Sequence, residues 1–310
     1  MSWSRPADPR VVVIGGGHAG ATLAALLRQG NHRGEIVVFG DELELPYHRP
    51  PLSKKFVAGD LEQWLRPPGF YAEQGIELRL GERIRAIDRA EHQLLGSDGN
   101  LSGYDVLVLA TGARPRRLPI PGSELRGVLT LRTLDDGRTL RKYLASDRRA
   151  VIIGAGYIGM EVAAVARANG VDVTVVECEH RILARVASTE LSGVLTAYHR
   201  ERGAEIITDA HVRRLTGRGG EVRAVVLDDG TALPCDVVLI GVGAEPCDEL
   251  AVAAGLECDH GIVVDDRART SDPAIFAIGD ATRRPVTGVH GLMRLESIPS
   301  ATEQARQASA

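Results

Sequence analysis

The sequence predicts an α/β protein built from two tandem copies of one strand–turn–helix–strand unit. Three observations predict it. Short apolar, β-branched runs alternate with helix-length stretches. A glycine-rich turn of identical spacing follows the opening strand of each copy, and an acidic residue ends the second strand of each copy. The 310 residues also suit two domains, at roughly 150 residues per domain.

The first copy opens with Arg10-Val11-Val12-Val13-Ile14, a buried-type strand. It enters Gly15-Gly16-Gly17-His18-Ala19-Gly20, and a helix is predicted from there through Leu27. A second strand, Glu35 to Phe39, ends at Gly40-Asp41-Glu42. Glu77–Leu80, Arg83–Ile87 and Leu94-Leu95 read as strands, and Ser97-Asp98-Gly99-Asn100 as a turn. Tyr104 to Leu109 is another buried-type strand, leaving through Ala110-Thr111-Gly112-Ala113. The second copy runs from Ala150-Val151-Ile152-Ile153 into Gly154-Ala155-Gly156-Tyr157-Ile158-Gly159, with a helix to about Ala168. Its strand Asp172–Val176 ends at Glu177. Ala232 to Ile240 reads as one run feeding Gly241-Val242-Gly243-Ala244-Glu245-Pro246, which repeats the exit after the first copy. Late in the chain, Ala274–Ile278 delivers Gly279-Asp280. Ser300 and Glu303 have the spacing of a capping box, which predicts a helix starting there.

Strand, glycine turn, helix, strand and acid together form the dinucleotide-binding fingerprint in its confirming context. Gly15 and Gly154 make the tight turns. Gly17 and Gly156 let the backbone approach a pyrophosphate, whose charge sits at the helix N-terminus. Gly20 and Gly159 let helix and strand pack closely, and Ala19 and Ile158 precede them in the same candidate sites. Asp41 and Glu177 are placed to accept hydrogen bonds from a ribose. A carboxylate at Glu177 repels a 2′-phosphate, so the second site is expected to take NAD rather than NADP. Arg181, four residues on, is the side chain that could accommodate that phosphate. Gly243 belongs to the second glycine-rich exit.

Composition excludes several classes. Hydrophobic residues make up 44% of the chain and charged residues 25%, which rules out disorder throughout. A formal net charge of -4 argues against a nucleic-acid partner. No stretch approaches the roughly 18 apolar residues of a membrane span. Met1 to Pro6 lacks a signal-peptide core. The four cysteines, Cys178, Cys235, Cys247 and Cys258, contain no C-x-x-C pair, so a reducing cytoplasm is expected. The histidines show no metal-ligand spacing, no metal site is expected, and His18 carries no expected role. Lys54, Lys55 and Lys142 are the only lysines.

Several segments carry a family resemblance. They are Pro46-Tyr47-His48-Arg49-Pro50-Pro51-Leu52-Ser53-Lys54, Leu131-Arg132-Thr133-Leu134, Arg294-Leu295-Glu296-Ser297 and Glu303-Gln304-Ala305-Arg306. With the two dinucleotide units and the late Gly-Asp, they resemble the FAD-dependent NADH:ferredoxin reductases of bacterial oxygenase and cytochrome P450 systems. That group lies within the pyridine nucleotide-disulfide oxidoreductase superfamily. The resemblance implies a glutathione reductase-like, two-dinucleotide-fold flavoprotein. A discontinuous FAD-binding domain would span 1–115 plus 246–310, and an NAD-binding domain 116–245. It also implies that the C-terminal interface domain of such proteins is absent here, leaving an exposed flavin edge.

The resemblance further implies site roles. Asp41 would hold the adenosine ribose, and Arg49 and Lys54 would lie near the pyrophosphate and flavin. Ile84 would meet the adenine through its backbone. Thr111, Gly112 and Arg132 would line the cofactor channel, Asp280 would bond the ribityl chain, and Ile298 would approach the flavin. Lys54 and Glu161 would pair beside the flavin and tune it. The helix expected from Ser300 would be a second tuner. The implied activity passes electrons from NADH through FAD to a small iron–sulfur protein of ferredoxin or rubredoxin type. Two other readings stay open, an NADH oxidase or diaphorase with another acceptor, and a non-enzymatic NADH-binding signalling module. The lack of a cysteine in Leu43-Glu44-Leu45-Pro46-Tyr47 disfavours thiol relay. Oligomeric state is not legible.

Overall fold

The computed structural model describes residues 8–57, 59–144 and 147–310. The N-terminal stretch read for a signal peptide lies outside them. Contacts divide the chain into two units. One comprises the chain up to His48, Trp64–Arg114 and Glu245–Ala310; the other comprises Arg49–Gln63 and Pro115–Ala244.

The first unit is built on a five-stranded parallel sheet. Its spatial order is Ile275–Ala277, Val106–Leu109, Val11–Ile14, Ile36–Gly40 and Ile76–Leu80. Val11 sits opposite both Ile36 and Val106. Strands covered on both faces need apolar residues at every position, and Val11–Ile14 is buried throughout. Alternate side chains go to opposite faces. Val11 and Val13 pack with Leu23, Ala24 and Leu27 of the His18–Gln29 helix, and with Ala301 and Ala305 of the last helix. Val12 and Ile14 pack on the other face with Leu94, Tyr104 and Ile262. Leu94 belongs to an antiparallel meander of Ile84–Asp88, Gln93–Gly96 and Leu101–Gly103.

The second unit repeats the plan. Its parallel sheet is ordered Glu205–Ile207, Asp172–Val176, Arg149–Ile153, Val237–Ile240 and Val128–Leu129. The helix Tyr157–Ala168 follows its central strand. An antiparallel meander of Val212–Arg218, Glu221–Leu227 and Ala232–Pro234 supplies Leu215, Val222, Val225 and Leu227 to a core shared with Val151 and Ile153.

Three features differ from the sequence expectation. The run from Ala232 to Ile240 is two strands in two sheets. Pro234 ends the antiparallel ladder opposite Ala224, and proline cannot donate to a central strand. Asp236 then holds Arg149 through its backbone N–H and guanidinium, and the parallel strand starts at Val237. The last helix spans Ile298–Ser309, with Ser297 as its N-cap accepting from the N–H of Ser300. Ser300 is therefore a buried first-turn residue, and its hydroxyl accepts from Arg284 at 3.2 Å. Pro299 fits the first turn, where its missing N–H costs nothing. Finally, Arg49–Gln63, expected with the FAD-binding domain, packs with the second unit. Leu52 and Leu61 close on Gly137 of the Leu134–Tyr143 helix, and Arg141 binds the Phe56 and Gly59 carbonyls.

Candidate functional site

Parallel strands end at one edge, and ligands of open α/β sheets bind beyond that edge. In the first unit this edge carries Gly15 after Ile14, Asp41 after Gly40, Thr111 after Leu109 and Asp280 after Ala277. In the second it carries Gly154, Glu177, Gly243 and Arg132. The two sheets therefore each present a glycine turn, an acid and a glycine-rich exit on one side.

The glycines of each turn do three different jobs. A Cβ at Gly15 would fall 2.1 Å from the Ala110 carbonyl oxygen, and the residue's φ is +122°. A Cβ at Gly20 would fall 2.1 Å from the Gly15 oxygen. At Gly17 a Cβ would meet nothing within 4 Å. The second unit matches: Gly154 against the Gly241 oxygen at 2.5 Å with φ +102°, Gly159 against the Gly154 oxygen at 2.1 Å, and Gly156 open. Gly17 and Gly156 are the N-caps of their helices, and neither helix has a side-chain cap. Each turn thus leaves uncapped helix N–H groups facing an open space, which suits a pyrophosphate.

Around the first turn the unit gathers further groups. Gly279, with φ +79°, lets the Gly-Asp turn press against Ala19, where a Cβ would stand 3.0 Å from the Ala19 Cβ. The Gly279 N–H donates to Gln304 Oε1 at 2.8 Å, and Gln304 Nε2 donates to Thr282 Oγ1 at 2.7 Å, all buried. This network fixes the Asp280 turn to the last helix. Thr111 donates its hydroxyl to the Cys247 carbonyl at 2.6 Å, and the Gly112 carbonyl accepts the Cys247 N–H at 2.9 Å. Asp41 is exposed beyond its strand. Ile84 buries its side chain under the sheet, and Ile298 opens the last helix at 39% exposure. His18 is more than a filler of the turn. Its Nε2 lies 3.3 Å from Thr302 Oγ1, and its ring is 5.9 Å from that of His48. Burial, then the neighbouring His48, pushes its pKa down, while Asp280 pulls the other way.

In the second unit, Glu177 accepts the Ala155 N–H at 2.6 Å and the Glu179 N–H at 3.0 Å. Arg181 is turned inward onto the Ala184 and Ala187 carbonyls and the Ser192 hydroxyl, so its charge is not presented to a phosphate. Tyr157 and Ile158 are exposed at the start of the helix. Cys178 is exposed beside Glu177, and partial burial, then the Glu177 carboxylate, holds its thiol in the protonated form.

The same unit contains the Arg-Pro-Pro-Leu-Ser-Lys run, whose Pro51–Lys54 forms one helical turn. Lys54 Nζ lies 2.7 Å from Glu161 Oε2, and Ser53 donates its hydroxyl to that oxygen at 2.5 Å. Arg49 donates to the Arg132 carbonyl at 2.5 Å. The residues expected around FAD are therefore divided. Gly15, Gly17, Ala19, Gly20, Asp41, Ile84, Thr111, Gly112, Asp280 and Ile298 lie in the first unit; Arg49, Lys54 and Arg132 lie in the second with Glu161. The sequence assigns no role to His18, carries Ser53, His48 and Gln304 only inside the family-resembling segments, and does not mark Thr302; their three-dimensional neighbours mark them here.

Comparison with known proteins follows this geometry. The pattern of the pyridine nucleotide-disulphide oxidoreductase family matches residues 9–305. A probable ferredoxin reductase, CtmF, of Castellaniella defragrans is 44% identical over 98% of this chain and 75% of its own length. A rubredoxin-NAD(+) reductase of Ectopseudomonas oleovorans is 40% identical over 96% of this chain and 78% of its own. The crystal structure of the covalent putidaredoxin reductase–putidaredoxin complex contains a chain of TM-score 0.95 and 41% identity, covering 98% of this chain and 75% of that one.

Proposed function

We propose a function for this chain from one premise: it belongs to the pyridine nucleotide-disulphide oxidoreductase family. It is an FAD-dependent NADH reductase whose electrons go to a small redox protein of ferredoxin or rubredoxin type. The observation that carries this reading is the duplicated turn, in which the outer glycines press on backbone and the middle one faces open space. Two such turns in one chain fit two dinucleotides. The relatives named above are a probable ferredoxin reductase and a rubredoxin-NAD(+) reductase.

When bound, FAD accepts two electrons from NADH as a hydride and releases them singly, which a one-electron acceptor needs. The residues of the first unit would hold it. Helix N–H groups beyond Gly17 would bind the pyrophosphate, Asp41 would accept from the ribose, and Thr111, Gly112 and Asp280 would line the remainder. In the second unit the Gly156 turn and Glu177 would hold NADH. Lys54 and Glu161 place one cation and one anion side by side. That pair supplies a positive charge and an acceptor, which suits tuning charge and orienting a nicotinamide. No protein nucleophile is needed. We place the enzyme in the cytoplasm, where NADH is supplied. Among the described residues no helix is long and apolar enough to cross a membrane.

The test adds FAD to the purified chain and follows NADH oxidation with and without a small [2Fe–2S] ferredoxin or a rubredoxin. Flavin uptake followed by acceptor-dependent NADH oxidation supports the reading. NADH oxidation indifferent to either protein would favour the oxidase alternative. Flavin uptake without NADH oxidation would favour the signalling module.

A further inference from the structure

We infer that Ser53 is a positioning residue, a fixed anchor that holds Glu161 in place for Lys54. The inference rests on the proposed role of the Lys54–Glu161 pair. Two donors from adjacent residues converge on one oxygen, Glu161 Oε2, at 2.5 Å from Ser53 and 2.7 Å from Lys54. They differ in freedom. Ser53 is 6% exposed and its hydroxyl turns about one side-chain torsion. The Lys54 side chain is 51% exposed, on a flexible four-carbon stem.

A hydroxyl has a single proton to donate. The alternative acceptor, the Pro50 carbonyl, stands at 3.4 Å, against 2.5 Å for the carboxylate. Charge-assisted bonds are shorter and stronger than neutral ones, so the proton belongs to Glu161. An ion pair between two flexible, partly exposed side chains yields little, because ordering both costs entropy. Ser53 lowers that cost by ordering Glu161 beforehand. The carboxylate then stays in register when Lys54 leaves and returns. Leu52, buried at 2% and packed on Gly137, pins the one-turn helix that sets the Ser53 hydroxyl.

The test exploits the scarcity of lysine. Lys54, Lys55 and Lys142 are the only three, so amine acylation followed by mass spectrometry resolves each one. Lys55, adjacent and exposed, is the internal reference. The full chain is labelled with and without added FAD. In Ser53→Ala, acylation of Lys54 relative to Lys55 should rise roughly two- to fivefold, the span of a lost half-exposed ion pair. Ser53→Cys, close in volume with a weaker donor, should fall between wild type and Ser53→Ala. Glu161→Ala, which removes the partner itself, should give at least that rise, and Ser53→Ala in the Glu161→Ala background should add nothing. Flavin reduction by NADH should slow in the same order across the set. If Glu161→Ala frees Lys54 but neither Ser53 variant does, the anchor is refuted while the pair survives. If Glu161→Ala leaves Lys54 unchanged, the pair itself is refuted and the anchor with it.

Discussion

The carboxylate of Glu177 binds the backbone N–H of Ala155 at 2.6 Å, inside the second glycine turn. The acid at the strand end therefore braces the turn, in addition to the ribose contact proposed for it. Arg181, the nearby cation, is engaged by Ala184, Ala187 and Ser192.

From this, Glu177→Ala should raise the KM for NADH by about tenfold or more, since a hydrogen bond to a charged group contributes about 1.5–3 kcal/mol. It should not produce a preference for NADPH, because Arg181 remains occupied. Steady-state kinetics with both nucleotides measures this. An unchanged KM for NADH, or efficient use of NADPH, would contradict the assignment.

The two turns should be separable by substitution. Gly17→Ala meets nothing within 4 Å, and alanine at an N-cap costs about 1 kcal/mol, so the apoprotein should fold yet lose FAD. Gly156→Ala should keep FAD and lose NADH binding. Gly15→Ala should unfold the first unit, because its Cβ would fall 2.1 Å from a carbonyl at φ +122°. Flavin fluorescence and thermal melts distinguish the three outcomes. Retention of FAD by Gly17→Ala would place the pyrophosphate elsewhere.

His18 should make stability sensitive to acid. Its pKa is lowered from 6.5 by burial, and next by His48. Above 6.5 the ring is neutral folded and unfolded, and costs nothing. As pH falls below 6.5, the unfolded chain takes up a proton that the folded chain refuses, so stability declines. His18→Asn should flatten that decline by up to one proton, about 1.4 kcal/mol per pH unit. Denaturant melts of the FAD-free chain between about pH 7 and 5 test it. Identical slopes for the two proteins would remove His18 from the linkage.

Tyr71 is 2% exposed, and its hydroxyl has no hydrogen-bond partner among the described residues. Burial pushes its pKa up to about 12. Removing an unsatisfied buried hydroxyl relieves its desolvation cost, so Tyr71→Phe should stabilise the chain by about 1 kcal/mol. Urea unfolding measures the difference. A destabilisation of similar size would mean the hydroxyl is satisfied.

The strands around both glycine turns were legible because buried parallel strands demand unbroken apolar runs, such as Val11–Ile14 and the stretch from Ala150 to Ile153. The turns were legible because Gly15 and Gly20 face backbone that excludes any side chain. Less was legible where partners are distant in sequence. Nothing local tells that Ser53 meets Glu161, 108 residues on, or that Gln304 holds Gly279. The start of the last helix was misplaced because Ser297 and Ser300 both have capping chemistry, and Pro299 decides between them only through its place in the first turn. The break at Cys235 was hidden because both flanking strands are apolar and only their sheets differ.

The most direct test of two cooperating dinucleotide sites is anaerobic stopped-flow mixing of the FAD-loaded chain with NADH. The account predicts rapid bleaching of the flavin band at a rate that saturates with NADH, lost in Gly156→Ala although flavin stays bound. Bleaching that survives unchanged in Gly156→Ala, or no bleaching in the wild-type chain with flavin bound, would contradict it.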